Sequence, residues 1–280
     1  MLNSILNYQY MQNAVIASIL AGIVCGIMGV IIIEKKLVMM SGGIAHTAYG
    51  GVGLGYMLGI EPVFGAILFS TVASLSVGYI KRKGTAKSDV IIGMFWSLGM
   101  ALGILFITLT PGYPPNISTY LFGNILSIPR FYIKIMGVLT LLILLVTVIF
   151  FNHWKVYLFD DEFAYIVGIK TALLEYVLMV MIALTIVVLI RVVGIILVLA
   201  LLTAPSATAA LLTNNLKNRM IWSSVLVILF CMTGLWISYN INLAPGSVIV
   251  IMSVGLYFII YAVKYILKSG SVERWSLKRS

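Results

Sequence analysis

A chain of 280 residues that is 62% hydrophobic and only 9% charged is not an aqueous globule, since soluble domains carry about 25% charged residues. Its mean hydropathy of +1.13 and its apolar runs, close to the roughly 20 residues that cross a bilayer, make lipid the solvent for most of its surface. The net charge of +10 would suggest a nucleic-acid partner in a soluble protein. Here the Lys and Arg residues sit in short loops between apolar runs, so they read as membrane topology and no nucleic acid is expected.

The first apolar run begins near Met11 with no Lys or Arg before it and no small-residue cleavage site after it, so no removable signal peptide is expected. From there the sequence predicts about nine spans, at 11–33, 42–59, 62–80, 89–109, 132–151, 174–190, 192–213, 221–240 and 245–266. The second is the weakest helix. Gly42, Gly43, Gly50, Gly51, Gly53, Gly55 and Gly59 crowd it, and a broken or re-entrant segment is the alternative. Cys25 and Cys231 each lie inside an apolar run without a Cys or His at ligand spacing, and read as small core residues.

Orientation follows from the loops, because cytoplasmic loops carry the Lys and Arg excess. With the amino terminus outside and nine spans, only Arg130, Lys134 and Arg191 of the 18 Lys and Arg residues fall outside. The chain thus reads as one all-α, multi-pass transmembrane bundle over 1–268, in the cell (plasma or inner) membrane, with a cytoplasmic tail at 269–280. Two loops are too long to be plain connectors. The external one, 110–131, carries Pro111, Pro114 and Pro115 and an apolar stretch at 120–126 that suits a short surface helix. The internal one, 152–171, has Asp160, Asp161 and Glu162 at the start of a short amphipathic run and Lys170 at its end, which complements a short helix dipole.

Ionisable groups inside a bilayer are expensive, so each is a functional candidate until explained. Glu34, Asp89, Glu175 and Arg191 fall at span ends, where long side chains snorkel or pair, and Glu61 sits in a short external turn before Pro62. His46 differs, being several residues inside the second span. It is either a neutral imidazole hydrogen-bonded between packed helices or a ligand, suited to Zn, Mn or Fe, that faces a pathway beside Thr47. In the seventh span Pro205 frees a backbone carbonyl near Thr203 and Ser206, which reads either as a kink beside a cavity or as a close-packed helix with a small-residue face. No metalloprotease helix, nucleophile elbow or phosphate loop occurs, so any ATP must be bound by another chain.

The order of these motifs resembles the permease family of zinc, manganese and iron ABC importers. The resemblance runs from about Ala14 to Lys264. It rests on 22–29, on 41–55 around His46, on 87–94, on 160–169, and on 194–210 together with 244–247. It implies a type II ABC-importer-like permease, working as a homodimer with two copies of a cytoplasmic ATPase and an extracytoplasmic metal-binding protein. The cargo is then a divalent transition metal ion, with no permanently bound cofactor and no catalytic residue on this chain. By the same resemblance Asp161, Glu162, Phe163, Ala164 and Gly168 match the family's coupling helix, which docks in a groove of the ATPase. The family motif around the His often reads Asp-x-x-Ser-His. Here the His carries over as His46, while Gly42 stands in the Asp position and removes a hard carboxylate that would favour Mn over Zn. An ion- or proton-coupled secondary transporter is the alternative, but it normally needs midplane carboxylates. An intramembrane hydrolase using His46 lacks a convincing nucleophile partner and fails on residue inventory.

Overall fold

The computed structural model describes residues 7–84, 88–111, 123, 125–241 and 243–277. Among these residues every regular element is helical: α1 (Gln9–Glu34), α2 (Val38–Leu58), α3 (Pro62–Lys83), α4 (Ser88–Leu109), a 3-10 turn (Ile125–Ser127), α5 (Arg130–Ile149), α6 (Phe151–Phe159), α7 (Asp161–Ile166), α8 (Thr171–Val193), α9 (Ile195–Leu212), α10 (Leu216–Ile241) and α11 (Pro245–Leu277). Each of the nine expected spans is a helix. Seven of them, α1, α3, α4, α5, α8, α10 and α11, are long and apolar enough to cross a membrane. The other two are the glycine-crowded α2 and the 18-residue α9. The helix expected at 120–126 lies mostly outside the described residues, and α11 continues past residue 268 as far as Leu277.

α1 and α8 form the centre. α8 is apolar all round, with Leu178, Met179, Ile182, Ala183, Ile186 and Leu189 fully buried, as a helix surrounded by others must be. α4, α5 and α11 lie at the rim, with most of their apolar side chains exposed or only half-buried, where lipid or another chain is the available solvent.

The glycines of α2 explain its position. The helix is continuous from Val38 to Leu58, so the broken alternative is ruled out. A Cβ on Gly51 would overlap the carbonyl of Gly65 on α3, and one on Gly53 would sit 2.6 Å from the carbonyl oxygen of Gly103 on α4. Backbones that approach this closely leave no room for a side chain on either helix. That is the small-residue packing which replaces the hydrophobic drive inside a bilayer.

The helix ends meet in two groups. At one end Asn13 Nδ2 donates to the Ile128 carbonyl at 3.0 Å, and the Tyr132 hydroxyl donates to Glu61. At the other, Arg219 pairs with Glu34, Arg82 and Lys81 approach Glu175 at 3.3 and 3.8 Å, and Lys35 pairs with Asp161. The Lys264 ammonium donates to the Leu211 carbonyl in the last turn of α9, which favours a cation. The Lys and Arg residues of the second group, Lys35, Lys81, Arg82, Arg219 and Lys264, are all ones that charge counting put inside. Glu34 and Glu175 thus pair as span-end carboxylates.

Candidate functional site

His46 projects from the middle of α2, and its ring stacks on Trp96 of α4 with centroids 4.1 Å apart and planes tilted by 13°. Its Nδ1 is buried with no hydrogen-bond partner among the described residues. The Thr47 hydroxyl lies 2.8 Å from the Gly43 carbonyl and 3.0 Å from the Phe95 carbonyl, so its one proton is shared between its own helix and α4. Thr47 also borders an apolar cavity of about 270 Å³ between α2, α3 and α4, lined by Phe69, Phe95 and Leu102 among others. A Cβ at Gly42 would meet Leu199 of α9 at 3.0 Å and the Trp96 ring at 3.3 Å. Leu199 and the indole that stacks on His46 would therefore each have to shift by a few tenths of an ångström to admit a Cβ at position 42. Among the described residues no group of three or more His, Cys, Asp and Glu side chains is placed to hold an ion.

Pro205 lies inside α9, which runs through it to Leu212. Around it Thr203 Oγ1 donates to the Leu199 carbonyl at 2.7 Å and Thr208 Oγ1 to the Ala204 carbonyl at 2.8 Å, each four residues back on its own helix, whereas the carbonyl that Pro205 leaves without its backbone donor is that of Leu201. Ser206 is 1% exposed and bonds Ser223 of α10 at 2.8 Å. A Cβ on Gly29 of α1 would collide with Ser206 Oγ and the Leu202 carbonyl. Ser206 thus sits where α1, α9 and α10 touch. Gly42 and Leu199 bring α2 and α9 into contact one helical turn from His46.

The internal loop holds two helices where one was expected. α6 buries Trp154 and Tyr157, an i, i+3 aromatic pair that could have signalled it. α7 is short but well terminated. Asp160 Oδ1 accepts from the amides of Glu162 at 2.9 Å and Phe163 at 3.0 Å, which satisfies two of the free donors at the helix start. At the other end Gly168, with φ of 89°, lets its own amide reach the Tyr165 carbonyl and that of Ile169 reach Ala164, both at 3.0 Å. This paired closure needs a left-handed residue, hence glycine. Ala164 is fully buried at the root of α7, whereas Phe163, Tyr165, Ile166 and Val167 are more than half exposed. Asp161 turns back to pair with Lys35.

Trp96, Lys35 and Tyr157 were not singled out in the sequence. Trp96 lay in an unbroken apolar run, and Lys35 in a pair of loop cations that topology alone explained.

Residues 7–264 match the family profile described as the ABC 3 transport family. A membrane protein of a Synechocystis strain is 39% identical, over 91% of this chain and 90% of its own length. The manganese transport system membrane protein MntC of Halalkalibacterium halodurans is 32% identical, over 99% of this chain and 95% of its own. Among solved structures, PsaBC from Streptococcus pneumoniae in complex with Fab superposes with a TM-score of 0.85 at 34% identity, covering 93% of this chain and 94% of that one. Profile, relatives and fold agree along nearly the whole sequence: the chain belongs to the ABC 3 transport family, as a multi-pass membrane permease rather than an enzyme.

Proposed function

We propose that the chain is the permease of an ATP-driven importer of a divalent transition metal, with manganese as the cargo. It works as a pair of identical chains, fed by an extracytoplasmic metal-binding protein and driven by two copies of a separate ATPase. The observation that carries this reading is α7. On the side rich in Lys and Arg, it exposes Phe163, Tyr165, Ile166 and Val167 beside the ionic cluster at the helix ends. Apolar side chains held outside the hydrocarbon region by two caps need a protein partner, and an ATPase groove supplies one. Asp161, Glu162, Phe163, Ala164 and Gly168 are then the coupling segment.

The choice of manganese rests on the names of relatives such as MntC. The chemistry at His46 is softer than that name alone suggests, since imidazole there has no carboxylate one turn before it. In this reading His46 contributes one nitrogen to the passing ion, with the matching His46 of the second copy a further candidate ligand, and Thr47, Pro205 and Ser206 flank the route.

The test is uptake of Mn²⁺ and Zn²⁺ into vesicles containing the permease and its co-purified ATPase, with the metal-binding protein supplied outside and ATP inside. Uptake should need ATP and survive collapse of the proton gradient. Uptake driven by the proton gradient after ATP depletion would instead establish a secondary transporter. A preference for Zn²⁺ would overturn the choice of manganese alone.

A further inference from the structure

We propose that Lys35 is the positioning residue through which movement of α7 reaches the transmembrane helices. This rests on α7 being the segment that meets the ATPase.

Lys35 is the residue that ends α1, and its side chain is 10% exposed although it lies at the bundle's end. Its ammonium holds the Asp161 carboxylate at the first turn of α7 and stands 3.5 Å above the Tyr157 ring of α6. One cation thereby ties three helices, by a charge-assisted bond and by attraction to a ring face. The pairing is fenced by a second one: Glu175 on α8, held by Arg82 and Lys81 of α3, is close enough to act on Lys35. Burial lowers the affinity of Lys35 for its proton, and Asp161 opposes that. A buried ammonium of this kind is costly without its carboxylate.

What Lys35 is attached to makes the tie mechanical. Lys36, next in the chain, has φ of 56°, the one non-glycine residue with positive φ among those described. Its amide reaches the Ile33 carbonyl at 3.0 Å and that of Leu37 reaches Ile32 at 2.8 Å. This is the closure seen at Gly168, built here on a residue that pays a strain penalty for it. The α1–α2 junction is therefore a fixed corner. Behind Lys35, α1 has no slack either. A Cβ on Gly29 would strike Ser206 and Leu202 of α9, one on Gly26 would strike Ser224 of α10, and one on Gly22 would strike Ile228. Close-packed interiors transmit displacement. A pull on Asp161 therefore acts through Lys35 on the end of α1, on the start of the helix bearing His46, and on α9 and α10. α7 itself packs mainly on its chain neighbours α6 and α8, so Lys35 is its polar tie across to α1.

The experiment measures Mn²⁺ taken up per ATP hydrolysed by the full permease–ATPase complex in vesicles, with the metal-binding protein supplied outside. Lys35→Met keeps the apolar stem and removes the charge. Uptake per ATP should fall about tenfold, the size of one charge-assisted contact, while the ATPase stays bound. Exchanging the charges, Lys35→Asp with Asp161→Lys, should recover at least half of the lost coupling. A wild-type ratio in Lys35→Met, or an exchange variant no better than the single one, overturns the proposal. If Lys35→Met fails to accumulate, Asp161→Asn is read in its place, with the same loss expected and a wild-type ratio overturning the proposal. Ile166→Asp separates the two ideas. If the ATPase still binds that variant, the docking role of α7 falls. If binding is lost there but Lys35→Met couples normally, only the Lys35 link falls.

Discussion

α2 and α7 carry the two halves of the proposed mechanism and are built on opposite principles. α2 is buried and held by what it lacks: glycines let α3 and α4 come to backbone contact, and a methyl group would break the arrangement. α7 is exposed and held by what it has, an aspartate cap at one end, a left-handed glycine at the other, and one ion pair to α1. A helix positioned by steric fit tolerates no change of volume. One positioned by caps and charge tolerates new side chains on its outer face but not the loss of a polar anchor.

That contrast can be broken most decisively at Gly51. Gly51→Val should abolish accumulation of folded protein in the membrane, because the Gly65 carbonyl is backbone and cannot swing aside, and overpacking costs about 1–3 kcal/mol even where neighbours can yield. Gly137→Val, where nothing lies within 4 Å, should accumulate normally. Equal membrane levels of the two would refute the packing account of α2.

Next in size are paired transport measurements. Glu162→Lys with Phe163→Ala should leave the permease folded and cut uptake by about tenfold or more, while ATP hydrolysis persists without transport. His46→Ala should also reduce uptake, with the ATPase still bound and still responding to the permease. Normal uptake by His46→Ala would return that imidazole to a packing role against Trp96.

The smallest expected effect is at the cap. Asp160→Ala removes the acceptor for two amides and should weaken α7 by about 1 kcal/mol, seen as faster amide hydrogen exchange across 161–166 with little change in the thermal midpoint. No change in exchange would mean that α6 and α8, rather than the cap, hold the segment.

The sequence was most informative where one physical signal dominated. Apolar run length located the spans, loop charge separated the two ends, and the Asp160 to Lys170 pattern marked a helix in the cytoplasmic loop. It was ambiguous at α2, because glycine both weakens an isolated helix and lets packed helices approach, and only the facing Gly65, Gly99 and Gly103 decide between the two. It was silent on Trp96 and Lys35. Their partners, His46 and Asp161, are 50 and 126 residues away in the chain, and no local periodicity encodes such pairings.

The glycine content of α2 has a further consequence for biogenesis. α2 is 21 residues long and yet does not reach the hydropathy that qualifies seven other helices to cross a membrane by composition alone. Left to partition by itself as the chain emerges, such a segment has a weak reason to leave water. Its turn to α3 is only Gly59 to Glu61, and its grooves are shaped for α3 and α4. The nascent chain is therefore expected to commit α2 to the bilayer together with α3, as a hairpin whose helices pair on entry, so that for this part of the protein assembly and membrane entry would be one step.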